Sequence, residues 1–284
     1  MGFLVDVGQT LDFQESKPFL EYIKQHGILQ FLHLLKKMKD MKIKTEDLKW
    51  GDEIEYHIIN LDPKTGEPRI QLNTDYLYKE TSDEIFHLQP EYGGWMVEAV
   101  PTKAYDCTGD PTVVYANFKR RIEKIKECCK DGDALLSLSV YPLLGVGDYF
   151  IKRIDGDEQS NDEDDEEEKD DIFNEKNPIT KSAYIHDEII NLHPRFPTLT
   201  ENIRLRRGEK VCILYPLYKD ENTVIEKSKD QPYPGYIHMD AMAFGMGSCC
   251  LQLTFGTTDI DQARYLTDQL HVFSSILVIP FFLE

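Results

Sequence analysis

The 284-residue chain is 41% apolar and 29% charged, enough to bury a sizeable core in one large domain or two small ones. Its net charge of −19 argues against a protein that grips the phosphate backbone of nucleic acid. The charge is uneven, because residues 155–171 carry twelve acids and one lysine, which leaves −8 for the rest.

The predicted elements follow in chain order. Residues 16–40 form a helix, with Ser16 as cap, Pro18 in the first turn, and an apolar stripe of Phe19, Ile23, Phe31, Leu34, Leu35 and Met38. Residues 50–61 alternate as a strand, a turn at 63–66 follows, and 69–72 return as a hairpin partner. Another strand at 95–100 is stopped by Pro101. Asp110-Pro111 opens a second helix carrying Val114, Phe118, Ile122, Ile125 and Cys129 on one face. Residues 135–141, 211–218 and 249–255 read as strands. Thr258-x-x-Asp261 caps a last helix. The acidic tract 155–171 has almost no apolar residues and is expected to be a disordered insertion. Strands and helices mix without a βαβ rhythm, which favours an α+β fold built on a largely antiparallel sheet.

The six cysteines (Cys107, Cys128, Cys129, Cys212, Cys249 and Cys250) show no C-x-x-C pair, zinc spacing or secreted disulfide framework, so reduced cytoplasmic thiols are expected. The start MGFLVDVGQT has no signal-peptide pattern. The longest apolar run, 272–283, is too short to span a bilayer.

The sharpest chemical feature is WGDEIEY, residues 50–56. A strand repeats its faces every two residues, so Glu53 and Glu55 share a face and repel unless a cation sits between them. Hard divalent ions take such carboxylate oxygens; a solvated acidic edge is the alternative. Glu91 and Glu98 form a second acidic pair. Glu98 interrupts the apolar run Met96, Val97, Ala99, Val100, where a lone carboxylate is unfavourable unless bound to metal or salt-bridged to an arginine. Four glutamates on two strands suit a multi-Mg²⁺ nucleotide site. Neither a P-loop nor a dinucleotide-binding turn is present. Gly245 and Gly247 allow either close backbone approach to a ligand or a plain turn. Arg204, Arg206 and Arg207 suit an anion or surface ion pairs. Cys249 and Cys250 point to opposite faces of their strand, so one of them shares a face with Gln252 and Thr254. His238 is the only base near them in sequence.

Five ordered blocks carry a family resemblance: HGILQFL (26–32), KWGDEIEY (49–56), PEYGGWMVEAVP (90–101), HPRFPTLTENIRLRRGEKV (193–211) and HMDAMAFGMGSCCLQLTF (238–255). Together they resemble the catalytic subunit of eukaryotic glutamate–cysteine ligase, from about residue 2 to 270 apart from the acidic tract. The resemblance implies an antiparallel sheet curved into a funnel with flanking helices, related to glutamine synthetase and the guanidino kinases. It also implies ATP-dependent joining of the γ-carboxylate of L-glutamate to the amine of L-cysteine through a γ-glutamyl phosphate, the first step of glutathione synthesis. Carried over by position, Glu53, Glu55, Glu91 and Glu98 hold Mg²⁺ or Mn²⁺, and Met246, Cys249 and Gln252 face the substrates. Family members are about twice this length, so residues 1–284 are expected to be the N-terminal portion of a single catalytic domain, incomplete at its C-terminus. The alternative is a non-catalytic form that binds the ligase's catalytic or regulatory subunits.

Overall fold

The computed structural model describes residues 10–39, 44, 48–81, 83–153, 177–224 and 233–278. The acidic tract and the last six residues, parts of two expectations above, lie outside the described residues.

The organising element is β1 (Lys49–Leu61). Around it run β2 (Pro68–Gln71), β3 (Phe86–Pro90), β4 (Met96–Pro101), β5 (Tyr105–Asp106), β6 (Asp133–Leu136) and β7 (Phe150–Ile151). A distant strand, β10 (Leu251–Phe255), completes an eight-stranded curled sheet. Thirteen residues make β1 long enough to pair with β2, β4, β5, β6 and β10 at successive positions, all antiparallel. The only parallel pairing among the described residues is β2 with β7. A separate two-stranded ribbon joins β8 (Ile213–Pro216) to β9 (Tyr236–Met239). The α+β expectation and the β1–β2 hairpin are both found, with Ile59 opposite Ile70.

β1 is buried on both faces, and its period-two alternation separates two cores. Tyr56 and Ile58 face one side, with Leu77 of α2 (Asp75–Glu80), Phe86, Val97, Ala99, Leu135 and Ile125 of α3 (Pro111–Cys128). Ile59 faces the other side, with Tyr92, Trp95, Met96, Tyr149, Ile185, Ile189 and Phe196. Phe196 lies on α4 (Arg195–Arg207), and Ala243, in the same core, opens the single turn α5 (Ala243–Met246).

Several local readings need correction. The first helix, α1 (Phe13–Lys39), starts earlier than expected and runs through Gly27. Its cap is a reciprocal box in which Glu15 N–H donates to Asp12 Oδ1 and Asp12 N–H donates to Glu15 Oε2, so Ser16 is already inside. None of its residues is buried, and the stripe from Phe19 to Met38 lies exposed apart from the half-buried Leu35. In α3, Asp110 caps as expected, but the buried positions are Asn117, Arg121 and Ile125. The helix turns polar residues inward because a carboxylate waits there, as described below. The last helix, α6 (Ile260–Val278), is capped by Asp259, which accepts from the N–H groups of Asp261 and Gln262, and not by Thr258. The strand expected at 135–141 shrinks to β6. No described helix is long and apolar enough to cross a membrane.

Candidate metal centre

Glu53 and Glu55 point from β1 toward the α4 side of the sheet. The register places Glu55 opposite Glu98 of β4, and Glu53 opposite Gln252 of β10. Glu91 arrives from the β3–β4 connection. That connection is held by backbone bonds from Asn191 N to Tyr92 O and from Gly94 N to Ile189 O, both 2.8 Å. Tyr92 pins it further, meeting Thr200 Oγ1 at 3.1 Å and Phe196 edge-on. As a result, one carboxylate oxygen each of Glu55, Glu91 and Glu98 lie within 4.8 Å of one another. The charge of Glu53 reaches the same cluster, disfavouring ionisation of both Glu91 and Glu98.

Of the two readings open for Glu98, the arginine salt bridge is not made. Glu98 is fully buried, and among the described residues neither carboxylate oxygen has a donor beside it. Burial, followed by the charges of Glu91, Glu53 and Glu55, pushes its pKa up to about 8. A hydrogen bond to Glu53 is open to Glu98 only in the protonated form. Burial and Glu55 also raise Glu91, with Arg195 opposing. Glu55 is better solvated by protein: it accepts from Cys250 N at 3.0 Å and from Cys250 Sγ and Gln252 Nε2 at 3.4 Å. A buried carboxylate without a donor, facing three others, is the environment a hard divalent cation relieves.

The cluster opens into a cleft of about 490 Å³ lined by Glu55, Glu91, Arg195, Phe196, Met246, Cys250 and Gln252 among others. Met246 and Gln252, named from the sequence, are there. Cys249 instead packs against the α4-side core, and Cys250 takes the cleft position. Burial and Glu55 push the Cys250 thiol up to about 11, so it is a neutral thiol at physiological pH. Gly247 is the turn that closes α5, and it is packed too tightly for a side chain. A Cβ there would lie 2.6 Å from Ala243 O and 3.0 Å from the Trp95 ring, and its carbonyl accepts from His57 Nε2 at 3.0 Å. Burial lowers the His57 pKa to about 4, which keeps the imidazole neutral. The basic cluster lies elsewhere: Arg204 donates to the carbonyl oxygens of Pro178 and Ile179, and Arg207 pairs with Glu209. The arginine in the cleft is Arg195, which the sequence reading passed over; its signal is its place in HPRF at the start of a helix.

Behind the metal strand sits its anchor. Asp52, between Gly51 and Glu53, points to the α3 side and forms a fully buried ion pair with Arg121. The guanidinium also donates to Asn117 Oδ1 (2.6 Å), Ala99 O (3.1 Å) and Tyr105 Oη (2.9 Å).

Comparison with known proteins identifies the family. A family model described as glutamate-cysteine ligase matches residues 2–279. The chain belongs to the glutamate–cysteine ligase family. It is 33% identical to the human glutamate–cysteine ligase catalytic subunit over 97% of this chain and 43% of that protein. The Dictyostelium discoideum glutamate–cysteine ligase is 36% identical over 98% of this chain and 45% of its own length. For the Saccharomyces cerevisiae enzyme the values are 32%, 98% and 43%. The chain thus spans less than half the length of these glutamate–cysteine ligases.

Proposed function

We propose that this chain provides the metal-binding face of a glutamate–cysteine ligase, which joins L-glutamate to L-cysteine at the expense of ATP through a γ-glutamyl phosphate. The observation that carries this reading is the cluster of glutamates around the partnerless Glu98 carboxylate, at the mouth of a cleft, in a chain of this family. Glu53, Glu55, Glu91 and Glu98 would hold Mg²⁺ or Mn²⁺. A divalent ion bound there supplies positive charge that screens the phosphates of ATP. The chain's own residues have separable roles. Glu98 releases its proton when the site fills. Arg195, which lines the cleft beside Glu91, offers a cation to an anionic substrate group. Phe196 and Leu199 give the cleft an apolar wall that limits water, while Met246 and Gln252 line the side formed by the segment leading into β10. The curled sheet suits the funnel of a glutamine synthetase-like architecture. A cytoplasmic setting and association with the family's regulatory subunit belong to the same reading.

Titration calorimetry with Mg²⁺ and Mn²⁺ on wild type and on Glu53→Gln/Glu55→Gln tests the centre. Heat from the wild type and its loss in the double variant are expected, and equal binding by both would overturn the assignment. Phosphate release from ATP that depends on both glutamate and cysteine, and is lost in the same variant, tests the reaction.

A further inference from the structure

Away from the cleft, the β8–β9 ribbon carries a second constellation that the ligase reading does not use. Leu214 of β8 lies opposite His238 of β9. Cys212 lies two residues before Leu214, so it shares that face and meets His238 on the cross-strand diagonal. Cys212 Sγ lies 3.4 Å from His238 Nε2, and the other ring nitrogen, Nδ1, lies 3.0 Å from Tyr184 Oη. Cys212 is exposed.

This geometry is anchored. Tyr184 stands in the 182–185 turn, where buried Asp240 accepts from Ser182 Oγ and from Ala183 N. Lys210, two residues before Cys212 on the side of α4, pairs with Asp240 at 2.8 Å. Tyr233 packs edge-on against the His238 ring, with centroids 4.8 Å apart. Among the described residues, the charged and titratable groups placed around the imidazole are Cys212, Tyr184, Tyr233 and the Lys210–Asp240 pair. Burial and Asp240 raise the Tyr184 phenol, which stays neutral and can accept from Nδ1–H. That tautomer aims the Nε2 lone pair at the thiol: a nucleophile, a base, and a third group orienting the base.

We infer that Cys212 is a reactive thiol activated by His238, and that its substrate class is a low-molecular-weight disulfide. The thiol proton passes to His238 Nε2, and the thiolate attacks one sulfur of R–S–S–R. The S–S bond breaks, a Cys212 Sγ–S–R bond forms, and the departing R–S⁻ takes the proton from the imidazolium. The Cys212 sulfur rises from the thiol to the disulfide level as the departing sulfur falls from the disulfide to the thiol level, so the exchange balances with no further oxidant. An external disulfide fits better than an internal one. The neighbouring cysteines in the chain are Cys129, whose thiol burial pushes up to about 11, and Cys249, packed against a core. β9 continues through Asp240 into α5, which carries Met246 of the cleft, so a group added at Cys212 lies against His238 on the strand that leads into that wall. The inference stands on the ribbon's own geometry and does not depend on the ligase reading.

The test treats the protein with bis(2-hydroxyethyl) disulfide at pH 7.5 and follows each cysteine by mass spectrometry. Exposed Cys107 serves as the internal reference, and Cys249 reports an intact core. Cys212 is expected to react at least about tenfold faster than Cys107. His238→Gln should bring it to within about twofold of Cys107, and Tyr184→Phe should slow it about threefold with Cys249 still protected. Should His238→Gln expose Cys249, the wild-type ratio and Tyr184→Phe decide. Equal rates at Cys212 and Cys107 in the wild type, or a Cys212 rate indifferent to Tyr184→Phe and to a folded His238→Gln, overturn the inference.

Discussion

Replacing Asp52 by Asn tests whether the metal strand is held from behind. The side chain keeps its shape and one acceptor, but the fully buried guanidinium of Arg121 loses its counter-charge. Its remaining acceptors, Asn117 Oδ1, Ala99 O and Tyr105 Oη, are all neutral, and the new amide NH₂ sets a donor against a donor. Removing one partner of a buried pair destabilises by about 3–5 kcal/mol. Set against a typical domain stability of about 5–15 kcal/mol, that is a large fraction of the total. Urea denaturation followed by tryptophan fluorescence measures it, since Trp50 and Trp95 both pack against this sheet. The double replacement Asp52→Leu/Arg121→Met removes both charges and should recover at least about 2 kcal/mol of the loss. A loss below about 1 kcal/mol for Asp52→Asn, or a double variant no better than the single, would refute the idea that charge pairing anchors β1.

The raised Glu98 pKa gives a pH signature in metal-free protein. The folded carboxyl stays protonated up to about pH 8 while the unfolded one ionises near its usual value of 4.5, so stability falls as pH rises between the two. Glu98→Gln should match wild type at pH 4, exceed it above pH 8, and lose the stabilisation that Mg²⁺ confers on wild type; parallel denaturation curves at all pH values would contradict this. Mg²⁺ affinity should likewise fall as pH drops through about 8, measurable by calorimetry in buffers of different ionisation heat. Arg195→Gln removes a positive charge beside Glu91 and should tighten binding of the bare cation by about 2–5-fold while weakening anionic ligands. Gly247→Ala forces a methyl against Ala243 O and Trp95 and should destabilise by about 1–3 kcal/mol in thermal or urea melts.

What could be read from the sequence followed what is local. Period-two spacing is enough to put Glu53 and Glu55 on one face of β1, and the turn at 63–66 is enough to return β2. The hydrophobic interruption at Glu98 is visible because an acid among Met96, Val97, Ala99 and Val100 has no local remedy. The placement of Glu91 was not readable in this way, because its loop is fixed by Asn191 and Ile189, about a hundred residues further on. The choice between Cys249 and Cys250 depends on the register of β10 against β1, which no short-range pattern encodes. On α3 the apolar periodicity holds for Ile122, Ile125 and Cys129, which pack on the core, but it gives no sign that Asn117 and Arg121 also turn inward. Arg121 is buried by a partner sixty-nine residues away. The amphipathic stripe of α1 was read correctly as a helix signal, yet that face lies exposed among the described residues.

The two-faced β1 has a consequence for how the gene can change. Neighbouring positions serve opposite purposes: Asp52 and Tyr56 face the α3 side, Glu53 and Glu55 the cleft. Inserting or deleting a single codon anywhere between 50 and 56 would exchange the two sets beyond that point, turning carboxylates into an apolar core and aromatic bulk into the cleft. Substitutions along this strand can be judged one at a time, but changes of length cannot. The tolerant place for a length change is the turn at Asp62–Glu67, where the hairpin closes on itself through Asp62 N–H to Glu67 O and Gly66 adopts a φ of 72°. Natural length variation in this part of the chain should therefore collect at that turn, with none inside the strand that precedes it.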